Sequence, residues 1–318
     1  MGTGIFAGIT WAMETVVMGI ALTTPSFIST PQAIFLAPFI STFLHDAFSA
    51  IYMFLYNTIK GNLKNLFKVF KNGCFKWLVV SSAIGGPIGM TGYMLAVNYM
   101  GSSIGAVASA IYPAIGTALA CIFLKEKVKW YQWLFLLCTL IGVYGLSYSP
   151  NLEIENFWFG LLGVLMCAFG WGIEAVILAK FLKDNTIKNE YVLNIRQTVS
   201  ALIYGTIILP LLGGWDLTLS LFTKSMSMPL ITIAVAAFWA TVSYMLYYKA
   251  IGKIGASKAM ALNITYTAWA IVFTFLLLQD LSLLDPLTIV CTVIIVVCGV
   301  LAATDFEGLR NKKVDKIL

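Results

Sequence analysis

Apolar stretches of about the length of a membrane-crossing helix follow one another almost without pause along this chain, and the polar residues gather in the short gaps between them. A helix needs roughly 20 residues to cross ~30 Å of hydrocarbon. Breaking the sequence at charges, prolines and glycine clusters predicts ten such helices. They run Gly4–Leu22, Ala33–Asn57, Leu78–Met100, Ile104–Leu124, Trp130–Tyr148, Phe157–Phe181, Val192–Gly213, Pro229–Ala250, Ala256–Leu278 and Pro286–Thr304. The expected fold is an all-α membrane protein of ten transmembrane helices.

The pattern also repeats. Trp11-Ala-Met-Glu14 in the first helix returns as Trp171-Gly-Ile-Glu174 in the sixth. Tyr93-Met-Leu…Gly101 returns as Tyr244-Met-Leu…Gly252, and Ala110-Ile-Tyr112-Pro-Ala loosely as Asn263-Ile-Thr-Tyr266-Thr-Ala. Five helices is an odd number, so two such halves enter the membrane in opposite senses and form an inverted repeat. The domains expected are residues 1–150, residues 151–304 and a cytoplasmic tail, 305–318. Inverted repeats place a substrate site at the midplane between the halves and supply two mirror-related conformations.

Composition agrees with lipid as solvent: 60% of residues are hydrophobic and 11% charged, against about 25% charged in soluble domains. The net charge of +6 is topological. Eighteen of the 20 basic residues fall on one side when the ten helices alternate: Lys60, Lys64, Lys68, Lys71, Lys76, Lys125, Lys127, Lys129, Lys180, Lys183, Lys188, Lys249, Lys253, Lys258, Arg310, Lys312, Lys313 and Lys316. Only Lys224 falls opposite, beside the acidic Glu153, Glu155, Asp216, Asp280 and Asp285. The positive-inside rule then puts both termini in the cytoplasm, and no nucleic-acid partner is implied. Met1 to Phe6 carry no Lys or Arg, so no cleavable signal is expected. The six cysteines form no CxxC pair and five lie in apolar runs, which argues against a metal or a disulfide framework. No HExxH or phosphate-binding loop occurs and the chain has a single His, so no enzyme activity, cofactor or ATP-driven pumping is expected.

Five ionisable residues fall inside the helices: Glu14, His45, Asp46, Glu174 and Arg196. A charge near the bilayer centre is costly unless it meets a partner or a cavity, so each is a functional candidate. Glu14 and Glu174 each follow a Trp by three residues, which puts indole and carboxyl on one helix face. His45-Asp46 and Arg196-Gln197 occupy matching positions of the two halves. Adjacent helical residues point about 100° apart, so both members of such a pair do not face one small ligand. Glu14, His45, Asp46 and Arg196 therefore read either as an interhelical polar network or as proton-coupling groups.

Aromatic residues give the second signal. Trp11, Tyr112, Trp171, Tyr244, Tyr248, Tyr266 and Trp269 lie in the first, fourth, sixth, eighth and ninth helices, with Tyr244/Tyr248 and Tyr266/Trp269 at same-face spacings. A quaternary ammonium donates no hydrogen bond and is recognised instead by aromatic faces. With Glu174 as the charge partner, these seven form the expected substrate-binding set; packing is the competing reading for each. Trp77, Trp130, Trp158 and Trp215, near helix ends, read as interface anchors. Gly85, Gly86, Pro87 and Gly89 break the third helix and Pro113 the fourth, as hinges or as close-packing points.

The five-plus-five arrangement resembles the drug/metabolite transporter superfamily and its EamA-type permeases over nearly the whole chain. Shorter stretches are similar to the bacterial choline uptake permeases of the lic type: His45-Asp46, Gly86-Pro-Ile-Gly-Met90, Gly101-Ser-Ser103, Ser109-Ala-Ile-Tyr-Pro-Ala114, Trp171-Gly-x-Glu174 and Ile195-Arg-Gln197. The resemblance implies a multi-pass inner-membrane importer of a choline-like cation, with the proton gradient as a candidate driving force. The alternative within the superfamily is an exporter of amino acids, nucleobases or cationic drugs.

Overall fold

A computed structural model describes residues 1–148, 154–182, 187–223, 228–279 and 285–306, and among these every regular element is a helix. Glu153, Lys183, Lys224, Asp280 and the tail bearing Arg310, Lys312, Lys313 and Lys316 lie outside the described residues. Eight of the predicted runs correspond to helices long and apolar enough to cross a membrane. They are α1 (Gly2–Leu22), α2 (Pro31–Ile59), α3 (Phe75–Gly101), α6 (Phe157–Leu182), α7 (Asn189–Leu212), α8 (Met228–Ile254), α9 (Ala256–Leu278) and α10 (Pro286–Ala303). The runs predicted over Ile104–Leu124 and Trp130–Tyr148 become the shorter apolar helices α4 (Val107–Phe123) and α5 (Trp130–Leu146). At ~1.5 Å per residue, the 17 residues of α5 reach slightly less than the hydrocarbon thickness.

Local chemistry sets the ends and breaks. Thr30 caps α2 by accepting from the Ala33 N–H at 3.0 Å, with Pro31 at the first helical position, where a missing N–H costs nothing. Asp285 caps α10 in the same way, through the Thr288 N–H. Within α3, Ile84–Ile88 widens into a π turn around Pro87, because proline removes one backbone bond and crowds the preceding turn. Gly101 ends α3 with φ 84° and ψ 163°. Gly255 separates α8 from α9 with φ 88° and ψ 165°, a region that side-chain-bearing residues avoid.

Helix pairing follows small residues. The α3–α4 stretch packs along α6, α1 packs against α8 and α9, α2 against α7, and α5 against α10. A Cβ on Gly163, Gly170 or Gly172 of α6 would come within 3.0 Å of backbone atoms of Ala96, Gly89 or Gly116. The backbones approach this closely because no side chain intervenes, the usual basis of helix association in lipid.

One charged contact joins the turn after α4 to the start of α9. Glu126 accepts from the Ala256 N–H at 2.8 Å, from the Ser257 N–H at 3.1 Å and from the Ser257 hydroxyl. Its carboxylate meets backbone donors that the first turn of a helix leaves unpaired, at the positive end of the dipole. Glu126→Ala is expected to cost about 2 kcal/mol, seen as a drop of several degrees in the thermal unfolding of detergent-purified protein. An unchanged Tm would contradict this.

Candidate functional site

Between these helices lies a cavity of about 420 Å³, lined by residues of α1–α4 and α6–α9. Its wall combines one cluster of ionisable groups with two clusters of aromatic rings.

The ionisable cluster is a chain of contacts across five helices. Arg196 (α7) donates from Nε to Glu174 Oε1 (α6) at 3.1 Å and from Nη1 to Gln197 Oε1 at 2.7 Å. Nη1 also lies 3.5 Å from Asp46 Oδ1 (α2). His45 Nδ1 sits 2.9 Å from the same Asp46 oxygen, so with Asp46 ionised Nδ1 carries the hydrogen. His45 Nε2 then points toward Glu14 Oε1 (α1) at 3.8 Å, beyond hydrogen-bond length, and has no hydrogen-bond partner among the described residues. The guanidinium carbon of Arg196 lies 4.9 Å from the centroid of Tyr244 (α8), within cation–π range. Glu14, His45, Asp46, Glu174 and Arg196 are all buried. Three carboxyl groups thus face one guanidinium and one imidazole, and the carboxyl group with no contact to Arg196 is Glu14.

The aromatic rings form two similar groups. Trp11 meets Tyr244 edge-on at 4.9 Å between centroids and Tyr266 at 6.5 Å. Trp171 meets Tyr112 edge-on at 5.7 Å and stacks on Tyr93 at 6.2 Å. Hydrogen bonds fix two of the phenols: Asn263 donates to Tyr112 Oη at 3.1 Å, and Ser109 Oγ pairs with Tyr266 Oη at 3.3 Å. Tyr248, packed 5.9 Å from Tyr244, has a buried hydroxyl with no hydrogen-bond partner among the described residues. Such an array offers ring faces and carboxylates, the two groups that attract an alkylammonium.

Of the residues predicted from sequence, Trp11, Glu14, His45, Asp46, Tyr112, Trp171, Glu174, Arg196, Tyr244, Tyr248 and Tyr266 all line this one cavity. Trp269 is not on its wall: one turn beyond Tyr266 along α9, it is half-buried elsewhere. Glu174, expected as the partner of a bound cation, is already paired with Arg196. His45 and Asp46 both border the cavity despite being neighbours in sequence, because the cavity wraps this flank of α2 and takes in Ser41 and Thr42 as well. Among the wall residues absent from the predicted set are Tyr93, Tyr247 and Asn263. Tyr93 was legible, since its Tyr-Met-Leu matches that of Tyr244. Tyr247 carries no comparable signal. Among the described residues no group of three or more His, Cys, Asp or Glu side chains is arranged to hold a metal ion.

Gly85 of α3 makes room for this arrangement. A Cβ there would run into the Glu174 carboxyl group and sit 2.7 Å from Glu174 Cβ. Gly85→Ala is therefore expected to push Glu174 off Arg196 and to lower transport by about tenfold. Gly2→Ala, with nothing within 4 Å, serves as the neutral comparison. Normal uptake by Gly85→Ala would contradict the close fit.

Comparison with known proteins agrees with this picture. The EamA-like transporter family matches residues 1–148. Protein LicB of Haemophilus influenzae is 30% identical over 238 residues, which cover 74% of this chain and 77% of its own. A solved crystal structure at 14% identity aligns over 96% of this chain and 97% of its own with a TM-score of 0.69; at that identity the likeness shows the fold alone. The chain belongs to the EamA-like transporter family, and is a multi-pass membrane transporter of a small-molecule substrate rather than an enzyme.

Proposed function

We propose that this protein imports choline, or a closely similar small quaternary ammonium cation, across the inner membrane by alternating access. The observation that carries the proposal is the reciprocal aromatic packing of the cavity beside surplus carboxylate. Trp11 is met by Tyr244 and Tyr266, while Trp171 is met by Tyr93 and Tyr112. Each indole comes from one half of the chain and its two phenols from the other. Trp11/Trp171, Tyr93/Tyr244 and Tyr112/Tyr266 are also the pairs that match in sequence.

In this reading the chain has ten transmembrane helices, α4 and α5 included, arranged as two inverted five-helix repeats, 1–150 and 151–304. The matching backbone at Gly101 and Gly255 supports the repeat and moves the counterpart of Gly101 three residues past Gly252, which is helical; the positive φ of 55° shared by Lys125 after α4 and Gln279 after α9 supports it too. Trp11, Tyr112, Trp171, Tyr244, Tyr248 and Tyr266, with Tyr93, supply the ring faces. Glu14 receives the positive charge, and His45, facing it, is the candidate proton-coupling group. Glu174, Arg196 and Asp46 hold the wall between α6, α7 and α2.

Both termini are cytoplasmic in this reading, with the lysine-rich turns. The cavity then reaches the opposite face, because its wall includes Gly19 and Leu22 at the end of α1, Pro38 near the start of α2 and Val97 near the end of α3. Gly19 is exposed. At the lysine-rich end Leu178, Leu182, Tyr248 and Met53 are buried in one core cluster, which suits a conformation receiving solute from outside.

Uptake of radiolabelled choline into proteoliposomes, with and without a pH gradient, tests the proposal. Time-dependent accumulation is expected. No uptake above protein-free vesicles under either condition would overturn it.

A further inference from the structure

We infer that the segment joining α2 to α3 is a docking surface for anionic phospholipid headgroups. Between Ile59 and Leu78 the chain carries Lys60, Lys64, Lys68, Lys71 and Lys76 and no Asp or Glu. It is a built element, not a loose connection. It forms the short helix Leu63–Val69, and Leu66 and Val69 are buried in the same core cluster as Met53, Cys74 and Leu78.

The opposite face is aromatic and cationic. Phe67 is 56% exposed and Phe70 48% exposed. Their rings stack with centroids 6.0 Å apart, and Phe70 packs on Phe75 at 4.7 Å. All five lysines are exposed. Lys64 and Lys68 are one helical turn apart on one face, and Phe67 follows Lys64 at i, i+3. Among the described residues none of the five lysines is in an ion pair; Lys68 donates only to Asn65 Oδ1, at 3.4 Å, and Lys76 lies 5.8 Å over the Trp77 ring.

Position decides what covers this face. The segment begins where α2 ends and stops where α3 starts, so it lies at a membrane surface. Aromatic rings settle at the boundary between acyl chains and headgroups, and lysines beside them are attracted to lipid phosphate. A soluble phosphate anion would satisfy the ammonium groups and leave the Phe67–Phe70 ridge in water. An anionic phospholipid satisfies both. The surface is separate from the transport cavity and does not depend on which solute is carried.

The test compares wild type with the triple variant Lys64→Gln/Lys68→Gln/Lys71→Gln and with Phe67→Ser/Phe70→Ser. Each is purified in mixed micelles containing phosphatidylcholine with or without phosphatidylglycerol. Retained phosphatidylglycerol is counted by native mass spectrometry, and the Tm is read in each lipid. Wild type is expected to retain phosphatidylglycerol in preference to phosphatidylcholine and to melt higher in its presence. Loss of three lysines should weaken that retention by about a hundredfold, and salt should do the same to wild type. The phenylalanine variant should lose part of it. Equal Tm values of the variants and wild type in phosphatidylcholine alone show that each still folds. An equal preference for phosphatidylglycerol in wild type and the lysine variant would overturn the inference. So would a wild type indifferent to lipid charge, the result expected if the segment serves an acidic soluble partner instead. Inorganic phosphate in phosphatidylcholine micelles should leave the Tm unchanged, and a shift as large as that with phosphatidylglycerol would also overturn it.

Discussion

Arg196→Leu is expected to destabilise the protein by about 3–5 kcal/mol, the cost of removing one partner from a buried ion pair. Arg196 is the only cation in contact with Glu174 among the described ion pairs, and it also lies 3.5 Å from Asp46. Without it, two carboxyl groups are left in an apolar interior, with His45 the remaining partner of Asp46. Glu174→Leu should also destabilise, because among the described ion pairs it leaves Arg196 with Asp46 as its one carboxylate, 3.5 Å away. The double variant should be less damaged than the sum of the two, since hydrophobic replacement of both partners of a buried pair is often tolerated. Thermal unfolding of the four proteins in detergent gives the coupling. Additive losses would show that the 3.1 Å contact contributes nothing of its own.

Glu14→Gln has the opposite profile. Its carboxyl group makes one hydrogen bond, from the Thr15 hydroxyl at 3.3 Å, and faces His45 from 3.8 Å. Gln keeps the shape and removes the charge, so the fold should survive with little change in Tm. Cation binding should weaken by about 2 kcal/mol or more, about thirtyfold in Kd. Glu174→Gln should act chiefly on stability and less on affinity, because Glu174 is already neutralised by Arg196. Calorimetric titration of both variants separates the roles. A Glu14→Gln protein that binds as tightly as wild type would remove Glu14 from the site.

Much of this site was legible before any geometry. The Trp-x-x-Glu motif at Trp11 and Trp171, the phenols of α8 and α9 and the intramembrane charges all reached the same cavity, because a polar or amphipathic side chain inside a lipid-facing helix has few other places to go. The helix breaks were legible for a similar reason: lysines, prolines and glycines interrupt an otherwise continuous apolar pattern.

What sequence did not reveal is which side chains meet. Glu174 and Arg196 sit on consecutive helices 22 residues apart, and helical periodicity says nothing about the rotation of one helix against its neighbour. For the same reason Tyr266 reaches the wall and Trp269, one turn later, does not. Tyr247 lines the cavity together with Tyr244 and Tyr248, which requires the wall to follow a wider arc of α8 than one i, i+4 stripe. Gly101 turns the chain between α3 and α4, and the Leu124–Lys129 turn separates α4 from α5.

The central claim is that positive charge, and not shape alone, is recognised in the cavity. Calorimetric titration of the purified protein with choline and with 3,3-dimethylbutan-1-ol tests it directly, since the second ligand replaces the quaternary nitrogen with carbon and keeps the outline. Choline is expected to bind at least about tenfold more tightly than the neutral alcohol, with that difference largely erased in Glu14→Gln. Equal binding of the two ligands by wild type would contradict the account.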